Sequence, residues 1–205
     1  MKKILLLILT VSLSVGFTSC KSEKKENKTL NTDKKEASFS VEKAANEINF
    51  TAYKFTEKTP VGGQFRKVDI ISGGAGNTIK EAIHNTQFSI PVSSLFTKDS
   101  SRDYKIQKFF FGVMDNTQLL SGKLMIENDS IGTATIKMNG ISEKIPFKYT
   151  IVANTFAMSA KMDVSQWDAL DALASLNKVC EALHTGTDGV SKTWSDVALN
   201  ITSKF

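Results

Sequence analysis

Side chains able to do chemistry are few in this 205-residue chain. Cys180 and His184 stand four apart, a spacing that puts both on one face of a helix. A cysteine beside a histidine is either a nucleophile with its base or two metal ligands. A thiol nucleophile also needs an orienting third group and an oxyanion site, whereas zinc wants three or four ligands. The other histidine is His84, and nothing in its spacing joins it to the pair. Cys180 falls on an apolar stripe, which predicts a buried, inert thiol. Arg102 and Asp103 are adjacent charges that either meet a ligand's head group or cap a turn, and the structural role is the better supported of the two. Gly73-Gly74-Ala75-Gly76 has the composition of a phosphate cradle but lacks the Lys-Ser/Thr ending, so it reads as a turn. The residues supply no catalytic set and no metal site.

The elements that must position these residues read mostly with a period of two. Ile48, Phe50 and Ala52 share one side of a segment, as do Phe88, Ile90 and Val92. KLMIE, with Ile126, and TATIKM follow. In KIPFKYTIVA, Ile145, Phe147, Tyr149 and Ile151 lie opposite Lys148 and Thr150. Phe156, Met158, Ala160 and Met162 alternate with polar or small residues, and Val197, Leu199 and Ile201 close the chain. Short alternating runs of this kind predict antiparallel strands with one wet face. Turns are expected at VGG 61, SGGAGN 72, ENDS 127 and MNG 138. One segment, 166–184, repeats apolar residues at helical spacing, with Ser165 and Asp168 placed to cap its start. A shorter helical patch is expected near 78–85.

About eight strands and one long helix favour a sheet closed into a barrel, because closure removes the free edges that invite aggregation. The run Phe109-Phe110-Phe111 fits such a barrel if it is a strand. Phe109 and Phe111 then face the interior, and Phe110 faces outward under cover of the 166–184 helix. A barrel of this size is either filled by side chains or holds one slender ligand.

Composition narrows the partners. The formal charge of +5 includes Lys2 and Lys3, and arginine occurs at 66 and 102 alone. Without an arginine stripe, nucleic-acid binding has no support. The first residues, MKKILLLILTVSLSVGFTSC, have the charged, apolar and small-residue order of a secretory signal. Phe17-Thr18-Ser19-Cys20 resembles a bacterial lipobox. That resemblance implies cleavage after Ser19, a signal peptide over 1–19 and acylation of Cys20, with palmitate or a similar chain. Two or more chains anchor stably. Lys21 follows Cys20 where inner-membrane retention is associated with aspartate, so an outer-membrane lipoprotein facing the periplasm or the cell surface is expected. Residues 20–38 carry charges of both signs and one large apolar residue, Leu30, and read as a flexible tether. Residues 39–205 suit one domain.

Three stretches of that domain resemble the YceI-like polyisoprenoid-binding family: FTAYKFTEKTPVGGQF, FSIPVSSLFTKDSSRDYKIQKFFFGVM and GTATIKMNGISEKIPFKYTI. The resemblance rests on order. Ser93, Ser94 and Thr97 precede Arg102-Asp103 and then the phenylalanines, and Gly122 and Asn139-Gly140 follow. Lys105 stands where the family commonly has histidine, and the aromatic and acidic-histidine-serine opening is reduced to Phe39-Ser40-Val41-Glu42. Both departures fall near the mouth or seam, so they bear on ligand choice more than on fold.

The resemblance implies an all-β, antiparallel, lipocalin-like barrel with a helix before the last strand. It implies a non-catalytic domain that holds a polyisoprenoid, an isoprenoid quinone or a fatty amide. With inward faces read from alternation, the expected lining is Phe50, Phe65, Phe88, Ile90, Phe109, Phe111, Ile126, Phe147, Ile151, Met158, Val197 and Leu199. Arg102 and Asp103 are the candidate head-group contacts. No cofactor is expected beyond a bound isoprenoid or fatty-acid-like lipid, and the membrane is the partner through Cys20. Oligomeric state, a homodimer included, stays open. The competing reading is an adhesion or assembly module with a solid barrel.

Overall fold

The computed structural model describes residues 36–205. The expectations for the signal peptide, for Cys20 and for the tether up to residue 35 lie outside the described residues. Residues 36–205 form a self-contained unit.

Alternation in the sequence becomes a ladder in space. Ten strands form one antiparallel sheet: β2 (Ala45–Lys54), β3 (Thr59–Phe65), β4 (Asp69–Ser72), β6 (Gln87–Pro91), β7 (Leu95–Phe96), β8 (Leu119–Ile126), β9 (Ile131–Met138), β10 (Ile141–Val152), β11 (Thr155–Asp163) and β12 (Asp196–Lys204). Their order is β4-β6-β8-β9-β10-β11-β12-β2-β3-β7. The short strands β1 (Phe39–Ser40) and β5 (Ala75–Gly76) pair separately. Between the strands lie α1 (Ile79–Ile83), α2 (Ser100–Phe109), α3 (Leu170–Val179) and α4 (Glu181–His184). In β10, Ile145, Phe147 and Tyr149 are buried while Lys144, Pro146, Lys148 and Thr150 are exposed, as one wet face requires.

The sheet curls into a half-barrel. Its seam is crossed by the chain itself. Near one margin β6 pairs Pro91 with Leu119, and at the other β7 pairs Leu95 with Phe65. A single 3₁₀ turn, Val92–Ser94, joins these two strands. The covalent link therefore spans a gap that a hydrogen-bonded ladder would otherwise have to close. Helices α2 and α3 pack together over the open side.

Local rules explain much of the rest. Met138 and Ile141 are joined by Asn139-Gly140, with φ of 51° and 72°. Both values suit the two-residue hairpin turn that matches strand twist. In α1, Thr78 and Glu81 form a reciprocal capping box.

Three expectations are corrected. VGG at 61 is strand, inside β3, and the turn before it falls where Phe55 and Lys58 take positive φ. The phenylalanine run is not strand either: α2 ends at Phe109 and a 3₁₀ turn covers Phe111–Val113. Asp99 starts that helix by accepting from the N–H groups of Ser101 and Arg102 at 3.0 and 3.1 Å. The long helix before the last strand is divided into a 3₁₀ turn, Val164–Trp167, then α3 and α4. Its cap is Asp163, which accepts from the Ser165 N–H at 2.9 Å, and Asp168 sits in the left-handed region with φ of 52°.

Trp167 pins this helical section to the sheet. It is fully buried, and its indole N–H donates to the Ile136 carbonyl at 2.9 Å. Trp167→Ala removes a large packed ring and leaves that carbonyl without its donor. A loss of about 3–5 kcal/mol is expected, read as a lowered midpoint in urea unfolding.

Candidate functional site

Residues at every second position of β2 trace a passage through the molecule. Ile48, Phe50 and Ala52 line a central cavity of about 180 Å³. Asn46 and Ile48 line a narrower extension of about 70 Å³ toward α1. Ala52 and Lys54 reach a third space of about 200 Å³ under α2, α3 and α4. The antiparallel strand β12 repeats the sequence in reverse, with Ser203 in the extension and Val197 in the centre. The central cavity shares Ile48, Phe88, Ile90, Ile136, Leu199 and Ile201 with the extension, and Ala52, Ile106, Leu176 and Thr193 with the third space. The three spaces therefore adjoin in a row, a lumen with its extension at α1 and, where the Arg102 and Asp99 side chains are nearly half exposed, its mouth at the helices. Together they fall within the range of about 300–1,000 Å³ that holds small ligands.

The centre is lined almost wholly by aliphatic and aromatic side chains. Two of its aromatics lie flat against the wall because glycine stands across the ladder. Phe50 pairs with Gly63, and Phe88 pairs with Gly122. A β-carbon on either glycine would collide with the phenylalanine ring. The same device seats Phe147 over Gly132, its partner in the β9–β10 register. VGG at 61 thus serves to make room for a ring.

The expected lining divides accordingly. Phe50, Phe65, Phe88, Ile90, Phe111, Val197 and Leu199 line the centre, and Met158 lines the extension. Ile126, Phe147 and Ile151 lie outside the lumen lining. Phe147 is buried with Tyr149 and Phe156 in an aromatic cluster, and Ile126 and Ile151 pack on the core. These three are on the inward face but at levels where the core is solid.

Phe109 and Phe110 exchange the roles expected of them. On the helix, Phe110 turns inward and joins the lining, with its ring edge-on to Phe111 at 5.0 Å. Phe109 points away, against Tyr104 and the Lys108 ammonium. A helix rotates successive residues by about 100°, so adjacent phenylalanines need not alternate. Ile106, Leu173, Leu176 and Trp194 also line the centre and were missed. Ile106 was hidden by the strand reading, whereas the apolar stripe of α3 was visible but assigned to the outside of the barrel.

The mouth carries the charged residues. Lys54, Arg102, Lys105, Asp99, Cys180 and His184 border it. Asp103 is turned elsewhere, accepting from the Thr97 N–H and hydroxyl at 2.8 and 2.6 Å. Its role is to hold the loop before α2. Cys180 is buried, and burial pushes its thiol above the usual range. A thiol held protonated is a poor nucleophile. The Thr193 hydroxyl donates to Asn177 Oδ1 at 2.7 Å, so its oxygen accepts from His184 Nδ1, also at 2.7 Å. Among the described residues, no three histidine, cysteine or acidic side chains gather as metal ligands would.

A model of the YceI-like domain matches residues 39–205. The chain belongs to the YceI-like family. Domains of this family are non-catalytic. A polyisoprenoid-binding domain from Saccharophagus degradans superposes with a TM-score of 0.55 at 11% identity, covering 82% of this chain and 97% of that one. BcnA of Burkholderia cenocepacia gives 0.49 at 12% identity, over 80% and 98%. A YceI protein of Campylobacter jejuni gives 0.47 at 18%, over 74% and 90%. No curated protein matches the chain.

His184 supplies a pH prediction. Burial is the largest cause lowering its pKa from the usual 6.5, and Lys54, Lys105 and Arg102 add to it. The unfolded chain takes up this proton near 6.5, but the folded chain resists until lower pH. Stability therefore falls as pH drops from 6.5 toward the folded value. Urea unfolding of wild type and His184→Gln across this window should show a smaller slope with pH in the variant.

Proposed function

We propose that this domain is a non-catalytic carrier or store for one long-chain amphiphilic lipid, held with its tail in the lumen. The tail classes that fit are a polyisoprenoid, an isoprenoid quinone or a fatty amide. The observation carrying this reading is the row of adjoining spaces: an apolar centre, with a narrow apolar end on one side and a charged mouth on the other. Burial is worth about 0.8 kcal/mol per methylene, so ten chain carbons supply on the order of 8 kcal/mol without any polar anchor. Acylated Cys20 would tether the domain at the outer membrane, where such lipids are at high local concentration. The polyisoprenoid-binding domain among the structural neighbours lends support to the class of ligand. The competing module with a solid barrel predicts side chains filling the centre, and the cavity there speaks against it.

The chain from residue 21 onward contains the whole described unit and can be purified without the anchor. A co-purifying long-chain lipid is expected in its organic extract by mass spectrometry, and a long-chain quinone should quench Trp194, which lines the cavity. Neither signal appearing would end the carrier reading. Gly63→Ala offers a sharper check, since its β-carbon must push the Phe50 ring off the wall into the tail's path. Loss of one or two methylene contacts predicts an affinity about tenfold weaker with a folded protein, measured by fluorescence titration and circular dichroism.

A further inference from the structure

The mouth of the lumen differs in chemistry from everything behind it. Lys54 is the last residue of β2 and continues the inward register of Ile48, Phe50 and Ala52. Arg102 and Lys105 come from α2, a separate element bordering the same space. All three line the same space as Cys180 and His184. Among the described residues, no carboxylate forms an ion pair with Lys54 or Lys105. The Lys54 ammonium instead donates to the Leu183 carbonyl at 3.0 Å. Among the described residues, Asp99 is the one acidic side chain lining the rim. Its carboxylate is engaged at the start of α2 by two backbone N–H groups, and Arg102 approaches it at 3.7 Å. The rim thus holds an excess of positive charge directly above an apolar channel.

We infer that the lumen takes a long-chain amphiphile with an anionic head group, a carboxylate or phosphate, held at the mouth by Lys54, Arg102 and Lys105 while its tail lies along β2 and β12. This rests on the carrier reading and adds the charge of the ligand to it. Ammonium and guanidinium groups brought to one rim by different elements can each give a charge-assisted hydrogen bond to one anion. The low-dielectric wall behind them strengthens the attraction. His184 adds a sensor, because an anion beside it favours the imidazolium and raises its pKa. Asp99 limits the effect but is already paired.

A set of ligands with identical tails tests this on the chain from residue 21 onward: palmitate, hexadecyl phosphate, hexadecanol and hexadecylamine, with inorganic phosphate as the tail-free control. Titration by tryptophan fluorescence at low salt should show palmitate and hexadecyl phosphate binding at least tenfold more tightly than hexadecanol, and hexadecylamine most weakly. Added salt should narrow the difference. In Arg102→Gln/Lys105→Gln the anionic advantage should shrink to a few-fold, with circular dichroism showing that the fold is intact; an undiminished advantage would overturn the assignment. Nuclear magnetic resonance titration should find the His184 pKa raised by palmitate and unmoved by hexadecanol. Equal binding of hexadecanol and both anions overturns the inference and leaves the carrier reading standing. No binding of any tail overturns both. Inorganic phosphate binding as tightly as hexadecyl phosphate would make the rim a free-anion site and overturn the head-group assignment.

Discussion

Phenylalanine facing glycine across a strand pair is the constraint on which this molecule depends. A curled sheet of this size tends to fill with its own inward side chains, and aromatic ones fill it fastest. Here Phe50 and Phe88 fold back over Gly63 and Gly122, so their area covers the wall and the axis stays open. The arrangement works only in one register. A one-residue slip would send each ring to the other face of the sheet and replace it with a polar neighbour. The hairpin at Asn139-Gly140 fixes the register of β9 and β10, the pair in which Phe147 faces Gly132.

The same device has a second outcome at the β9–β10 pair. Phe147 lies over Gly132, yet Tyr149 and Phe156 pack against it and the space closes. One half-barrel therefore contains a solid sector and a hollow one. The solid sector provides the buried apolar area that a domain of this length needs, and the hollow one is left for a ligand. Stability and function are thus separated around the sheet, with β10 on the first side and β2, β12 and β6 on the second.

The mouth is assembled from parts distant in sequence. Lys54 arrives at the end of a strand, Arg102 and Lys105 on a helix, and Cys180 and His184 on the section before the last strand. Of Cys180 and His184, the pair with the strongest chemical signature in the sequence, the cysteine is held by burial in a protonated form ill suited to nucleophilic work. Their neighbours matter more than they do.

Several features of this protein were decided by the sequence alone. Period-two alternation set the faces of β2, β10, β11 and β12, and Asn139-Gly140 set a hairpin, because these depend on the backbone geometry of a few adjacent residues. Phe50, Phe88, Ile90 and Leu199 border the cavity on faces that alternation alone assigns. Tertiary structure decided which inward residues meet a void and which meet other side chains, since Phe147 and Phe50 have the same local pattern and differ only in what packs opposite. It also decided the conformation of the segment around Phe109-Phe110-Phe111, where a capping aspartate and the need to cover the open side favoured helix over strand. The convergence of three cations on one rim was invisible for a related reason: strand order and helix placement bring them together, and spacing along the chain carries no record of it.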